Sequence, residues 1–492
     1  FRLMKLLEPL NINGMVIPNR TLVPAMVTRL SGEDGYVTQD IIDRYVRYAE
    51  GEIGLIVVEA MGIHSARSGP LLRIGEDRFN DGHRELTNRV HDTSDSKIVP
   101  QIIHFMKVAR SGWRQTIDSL SIGEIDNIVA QFGAAAARAR ASGYDGVELH
   151  SAHAYTLSSF MSKLNPRRDE YDGRTLEGRL RMLGRVMASV RAHVGDDFPV
   201  GVRFLSEECI KGGYTVAEAT LIALRMAQLG VDYISLSIGG KFEDAIYSEG
   251  EPLYPYTGYS GDRCMPGEWY PPLTNADNVA MVKNFINDQG FDTPVVSAGK
   301  ISTPEEAEEL LNSGKADIIG MARQHLSDPD WIKKVREGRP DDIVKCIWCN
   351  VCKQLDEKFK EVHCFLWPKH SRQAPPDVTT DFDTPSWGEE GSKLTVVLRE
   401  DGGAELNWSR APGGKIAGYD IYRADAEGEV MLVDAVKGAR FVDKTILGGL
   451  TYTFYVRAFD ATGRASPPSN SVRIAPPVPN YGATQMGESS NA

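Results

Sequence analysis

Short runs of apolar, β-branched residues alternate along the first 340 positions with longer stretches whose apolar residues recur three and four apart. The runs at 21–26, 54–60, 98–104, 146–150, 199–204, 233–237, 294–298 and 317–320 are nearly continuous in apolar character. That is the pattern of parallel strands buried on both faces. Helical spacing fills the gaps at 122–141, 176–193, 216–228 and 304–311. In the last of these, Ser302 or Thr303 can cap the helix and Pro304 can open it. Eight strand-then-helix units predict an α/β fold, a (β/α)₈ TIM barrel. An open doubly wound sheet alternates in the same way and is the competing architecture. Ahead of the first strand, LNINGMVIPN carries Asn13-Gly14 between apolar runs. This is a hairpin pattern, expected to plug the bottom of the barrel.

The pattern changes after residue 340. A cysteine-rich segment at 341–370 leads into a Pro-, Asp- and Ser-rich linker at 371–392. Short alternating strands follow at 393–476: KLTVVLRE, AELNWSR, GYDIYRA, RFVDK, TYTFYVRAFD and NSVRIA. Gly and Pro punctuate them at the spacing of a small all-β, immunoglobulin-like sandwich. Trp408 is expected on its second strand, and Leu450-Thr451-Tyr452 stands like a tyrosine corner. In these markers the segment resembles a fibronectin type III domain, expected to serve packing, dimerisation or docking. Residues 477–492 read as a disordered tail. The predicted domains are thus 1–340, 341–370, the linker 371–392, 393–476 and the tail.

Composition narrows the function classes. The chain has 492 residues and a formal net charge of −12, which argues against general affinity for nucleic acid or anionic membrane. No apolar stretch of about 18 residues suggests a membrane span. The chain starts at Phe1, with Met4 as an alternative natural start, so the expectation of a cytoplasmic enzyme stands beside that of a removed export signal. Six cysteines are present, four of them between Cys346 and Cys364. Such clustering in a large acidic chain points to a metal or iron–sulfur site rather than a disulfide framework.

A TIM barrel places its chemistry at the C-terminal strand ends. Those ends carry Pro24, Ala25, Met26 and Thr28; Glu59 and Ala60; Gln101 and His104; His150, His153 and Tyr155; Arg203; Gly299 and Lys300; and Ala322 and Arg323. Each alone reads as readily as a structural residue; matching ends on so many strands read as one site. The strings PNRTLVPAM, QIIH, ASGYDGVELHSAHAYTLSSFMSKLNPRRDEYDG, FPVGVRF, VVSAGKI and DIIGMARQHLSDPD resemble the Old Yellow Enzyme family, particularly its 2,4-dienoyl-CoA reductase branch. The resemblance implies FMN as cofactor. It puts Gln101 at the pyrimidine edge, Arg203 beside N1 and C2=O, and Thr28 near O4 and N5. It assigns the backbone of Gly299, Lys300, Ala322 and Arg323, with the Arg323 guanidinium, to the phosphate. Val27 and its neighbours offer no thiol, so non-covalent binding is expected. By the same resemblance His150 and His153 hydrogen-bond a substrate carbonyl, and Tyr155 donates a proton to the α-carbon of an activated alkene. A His-x-x-His metal pair and a purely structural pair are the competing readings. Two loops depart from the family, 105–125 and the phrase DGRTLEGR, and both bear on substrate identity.

Cys346, Cys349, Cys352 and Cys364, with Asn350 and Trp367-Pro368, echo the string that binds a 4Fe–4S cluster in the family's iron–sulfur members. A structural zinc site and free thiols are the alternatives. Because the flavin loops lie on the barrel, loss of the cluster is expected to leave FMN bound. No Gly-rich dinucleotide fingerprint follows Pro368. Electrons are therefore expected from an external electron-transfer protein, or from NAD(P)H directly, with a small molecule as substrate and a homo-oligomeric enzyme. An amine dehydrogenase or N-demethylase resembling trimethylamine dehydrogenase is the second enzymatic expectation, and a non-catalytic scaffold is the one from another class.

Overall fold

Asn13 and Gly14 both take positive φ, 47° and 87°, the backbone of a two-residue hairpin turn. They join β1 (Leu10–Ile12) to β2 (Met15–Ile17). Ile12, Met15 and Ile17 pack with Leu22, Leu55, Val57, Val99, Val296 and Ile318 at the N-terminal end of the barrel. The barrel strands are β3 (Thr21–Val23), β4 (Leu55–Gly62), β5 (Lys97–Ile103), β6 (Val147–Ser151), β7 (Val200–Leu205), β8 (Tyr233–Ser237), β9 (Val295–Ala298) and β10 (Ile318–Gly320). All pair in parallel, and β10 closes on β3. The sheet is therefore a closed TIM barrel and not an open one. The computed structural model describes residues 4–107, 114–239, 261–267, 270–368, 371–376, 385–424, 430–460 and 465–480. Parts of the expected 105–125 loop, linker and tail lie outside these.

β3 stops at Val23, three residues before the expected end, because Pro24 has no N–H to extend the ladder. The helix Ile122–Ala141 follows Ser121, which forms a capping box with Glu124. At Pro304–Asn312 the cap is Thr303, again boxed, with Glu306. Interior packing is tight: a Cβ built on Gly201 of β7 would lie 2.1 Å from the Tyr233 ring of β8. The missing side chain lets Tyr233 lie across the barrel and donate to Glu148 Oε1 at 3.1 Å.

The chain divides into two compact units, Phe1–Thr379 and Thr380–Ala492. In the second, β11 (Thr395–Leu398), β12 (Ala404–Asn407) and β15 (Arg440–Asp443) form one antiparallel sheet. A second sheet has the order β14 (Val430–Val436), β13 (Ile416–Ala424), β16 (Tyr452–Asp460), β17 (Val472–Ile474). β14 was not predicted: it is an edge strand with no buried residue, so its sequence lacks the alternation of a half-buried strand. Trp408 sits one residue past β12 rather than on it, and packs with Trp387, Tyr419 and Tyr452 in this unit's core. The Tyr452 hydroxyl accepts from Leu447 N at 2.9 Å, as at a tyrosine corner. No helix among the described residues is long and apolar enough to cross a membrane.

Gly201→Ala should push Tyr233 off Glu148 and lower stability by roughly 1–3 kcal/mol, the usual cost of overpacking a dense core. Chemical denaturation checks this; an unchanged midpoint would refute the packing described.

Candidate active site

The C-terminal strand ends enclose a cavity of about 740 Å³, within the usual range for a cofactor and substrate site. Pro24, Ala25, Met26, Ala60, Gln101, His150, His153, Tyr155, Arg203, Gly299, Lys300, Ala322 and Arg323 all line it. The structure thus brings together the strand-end residues singled out above except Thr28, Glu59 and His104. The Thr28 hydroxyl donates to Glu59 Oε1 at 2.7 Å and its backbone N–H to Glu59 Oε2 at 3.2 Å. Glu59 is fully buried, and the Tyr45 hydroxyl donates to it as well. An expelled carboxylate must collect such donors, so Thr28 turns to Glu59 and away from the cavity.

β6 delivers the histidine pair. Just past its end His153 and Ala154 take positive φ, 57° and 62°, a costly conformation for non-glycine residues. The double turn sets the ring of His150 edge-on to that of His153 at 5.3 Å and to that of Tyr155 at 4.9 Å. His150 Nδ1 accepts from Ala152 N at 3.2 Å, which leaves its proton on Nε2. His153 Nε2 lies 2.8 Å from Ser237 Oγ, so the two rings are not equivalent. Burial, then the charge of Arg203, pushes His150 down to about 3. Burial, then His150 and Arg203, pushes His153 well below its ordinary value. Both rings are neutral at pH 7 and can donate without being acids.

The cavity floor is polar. Gln101 Nε2 donates to Glu148 Oε2 at 2.8 Å. Arg203 Nη1 donates to Ser235 Oγ at 3.0 Å. Burial raises Glu148, and the neighbouring Arg203 opposes that rise. At the other end, Gly299 has φ 126° and Lys300 φ 52°, so the backbone after β9 turns back on itself. The Lys300 ammonium donates to Gly267 O at 2.9 Å and to Tyr270 O. Sequence reasoning missed Trp348, Asp356 and Phe359, which stand with Arg29 on the cavity wall. Arg29 pairs with Asp356 at 2.8 Å and stacks on Phe359 at 4.5 Å. Only Trp348 carried a usable signal, an aromatic residue inside the cysteine string.

The four cysteines are free of disulfides. Each thiol is raised by burial, and Cys364 is raised further by Cys346, Cys349 and Cys352 in turn. Backbone N–H groups of Trp348 and Leu366 point at Cys346 Sγ and Cys364 Sγ, both at 3.4 Å. Amide donors at sulfur suit thiolates bound to a cationic centre. Among the described residues no group of three or more His, Cys, Asp or Glu is arranged to hold a metal ion. A lone zinc needs its sulfurs about 2.3 Å from one point, whereas a four-iron cubane spreads them wider.

A closed barrel with this cavity and these strand-end residues defines a flavin-dependent oxidoreductase. The chain matches the NADH:flavin oxidoreductase / NADH oxidase family over residues 107–252 and 270–342 and belongs to it. It is 33% identical to an NADH oxidase of Thermoanaerobacter brockii over 361 residues, 69% of this chain and 52% of that one. It is 30% identical to an NADPH dehydrogenase of Geobacillus sp. over 66% of this chain and 92% of the relative. A solved complex of 2-naphthoyl-CoA reductase with 2-naphthoyl-CoA has the same fold, with TM-score 0.65 and 22% identity over 79% of this chain and 60% of that one. The chain spans about half the length of the Thermoanaerobacter brockii enzyme.

Buried histidines predict a pH response. His104 and His150 are pushed down to about 3, and His64, His83 and His325 to about 4, burial being the first cause in each. Their ordinary value is 6.5. Between the two values the unfolded chain binds more protons, so stability is full above pH 6.5 and falls as pH drops. Each can contribute up to about 1.4 kcal/mol per pH unit in that window. Buried Glu59 and Glu148, both raised, act in the opposite sense and offset part of it. The denaturation midpoint should fall markedly from pH 7 to pH 5; a flat profile contradicts this burial.

Proposed function

We propose that the cavity holds FMN and that the enzyme reduces an activated C=C bond, such as that of an enone or enoyl thioester. The neutral histidine pair with Tyr155 at the cavity wall carries this reading. Gln101 suits the pyrimidine edge and Arg203 the N1–C2=O side, where a fixed positive charge stabilises the reduced flavin anion. The turned backbone at Gly299 and Lys300, with Ala322 and the Arg323 guanidinium, suits the phosphate. Pro24, Ala25, Met26 and Ala60 supply apolar cavity wall. When bound, FMN supplies hydride from N5 to the β-carbon of the alkene. His150 Nε2–H donates to the carbonyl oxygen as negative charge builds there, and His153 supports the same oxygen. The Tyr155 phenol delivers a proton to the α-carbon.

The second reading is amine oxidation. A cinnamate reductase of Clostridium sporogenes and an N,N-dimethylglycine/sarcosine dehydrogenase of Chromohalobacter salexigens are relatives at 28% and 27% identity. The buried Arg203 beside the histidine pair opposes a cationic amine and favours an oxygen gaining negative charge, which supports alkene reduction. Cys346, Cys349, Cys352 and Cys364 are read as ligands of one 4Fe–4S cluster that exchanges electrons with a protein partner, direct reduction by NAD(P)H being the other route. The fibronectin type III-like assignment of the second unit rests on its Trp408 and Tyr452 contacts.

Tyr155→Phe should slow substrate reduction by about 10²–10⁴-fold and leave reduction of the enzyme by an artificial donor nearly unchanged. Equal loss in both half-reactions would make Tyr155 structural. Elemental analysis should find about four irons and four acid-labile sulfides per chain; one zinc with no sulfide rejects the cluster.

A further inference from the structure

Arg323 leaves β10 at the phosphate end of the cavity, yet its orientation is set by the cysteine string. Its Nη1 donates to Asn350 Oδ1 and to Pro266 O, both at 2.8 Å. Its guanidinium carbon lies 4.7 Å from the centre of the Trp348 ring. Asn350 is anchored in turn, donating from Nδ2 to Met265 O at 2.8 Å. The next barrel residue, Gln324, accepts from Cys346 N at 2.9 Å. Trp348 and Asn350 both hold left-handed backbone, φ 59° and 58°, so the string folds back between its cysteines, and Trp348 becomes cavity wall. Non-glycine residues keep such conformations only where their surroundings over-determine them. Among the described residues only Nη1 is engaged, which leaves Nε and Nη2 of Arg323 for an anion in the cavity.

We infer that Asn350 and Trp348 belong to the flavin site as positioning residues, aiming Arg323 at the phosphate and coupling occupation of the cysteine string to flavin affinity. This rests on the FMN reading above, and it adds a selective weakening of the phosphate contact to the expectation that FMN stays largely bound without the cluster. Coupling of two sites is reciprocal: a group that fixes the 346–352 loop fixes Arg323, and a phosphate on Arg323 holds Asn350 and Trp348.

The test compares FMN with riboflavin, which lacks the phosphate, by quenching of flavin fluorescence on flavin-stripped full-length protein. Wild type should prefer FMN. Asn350→Ala and Trp348→Ala should lower the FMN-to-riboflavin affinity ratio by roughly tenfold or more, the worth of one charge-assisted hydrogen bond. Riboflavin affinity should stay near wild type, which also shows that the fold is kept. Trp348→Phe, which keeps a ring under the guanidinium, should restore most of the ratio. Wild-type protein stripped of iron with a chelator should show the same selective loss. An unchanged ratio in the alanine variants, or equal weakening of both flavins, overturns the inference. If wild type shows no preference for FMN over riboflavin, the FMN reading itself fails.

Discussion

Two opposite charges lie at the floor of the barrel, and the site is organised around them. Glu148 on β6 and Arg203 on β7 are both inaccessible enough that burial drives each toward its neutral form, and each is the leading influence restoring the other's charge. Either charge buried without the other's field would be left uncompensated. The pair spreads its demand sideways, to Gln101 on β5 and to Tyr233 and Ser235 on β8. Burial holds His150 and His153 neutral, and the Arg203 charge adds to that. One electrostatic compromise thus fixes the amide at the floor and the sign of the field above it.

The cysteine segment is less separable from the barrel than its composition suggests. Val362 N donates to Thr28 O at 2.8 Å, and Arg29 reaches Asp356. Arg44, on the helix Gln39–Glu50, donates to Val362 O at 2.8 Å and stacks on Trp367 at 5.0 Å. Met26 of the first barrel loop packs with Leu326, Cys352 and Trp367. Residues 26–29 therefore face two ways, with Met26 lining the cavity and Thr28 and Arg29 bonded to the segment behind it.

Strands buried on both faces were legible because continuous apolar runs have few other uses. The helix at 122–141 matches because its capping box and spacing agree, and that at 216–228 because of its spacing alone. Residues on the strand ends were legible because a closed barrel points them to one place. The side-chain direction of Thr28 was not legible, because a sequence gives a residue's distance along a loop and its acceptor, Glu59, lies on another strand. The contact of Asn350 was hidden for a related reason. It was read only as part of the cysteine string, and its bond to Arg323 spans 27 positions.

The hairpin at Asn13-Gly14 carries a kinetic consequence. With Ile12, Met15 and Ile17 filling the N-terminal end of the barrel, traffic to the cavity floor passes through the C-terminal face. Two molecules that must each reach the histidine pair cannot be there together. A reaction drawing both its reductant and its oxidant through that face must therefore alternate between them, giving parallel double-reciprocal lines and inhibition by excess of either. An enzyme fed from behind, through the cysteine loop, escapes that competition, and its rate can rise with both partners at once.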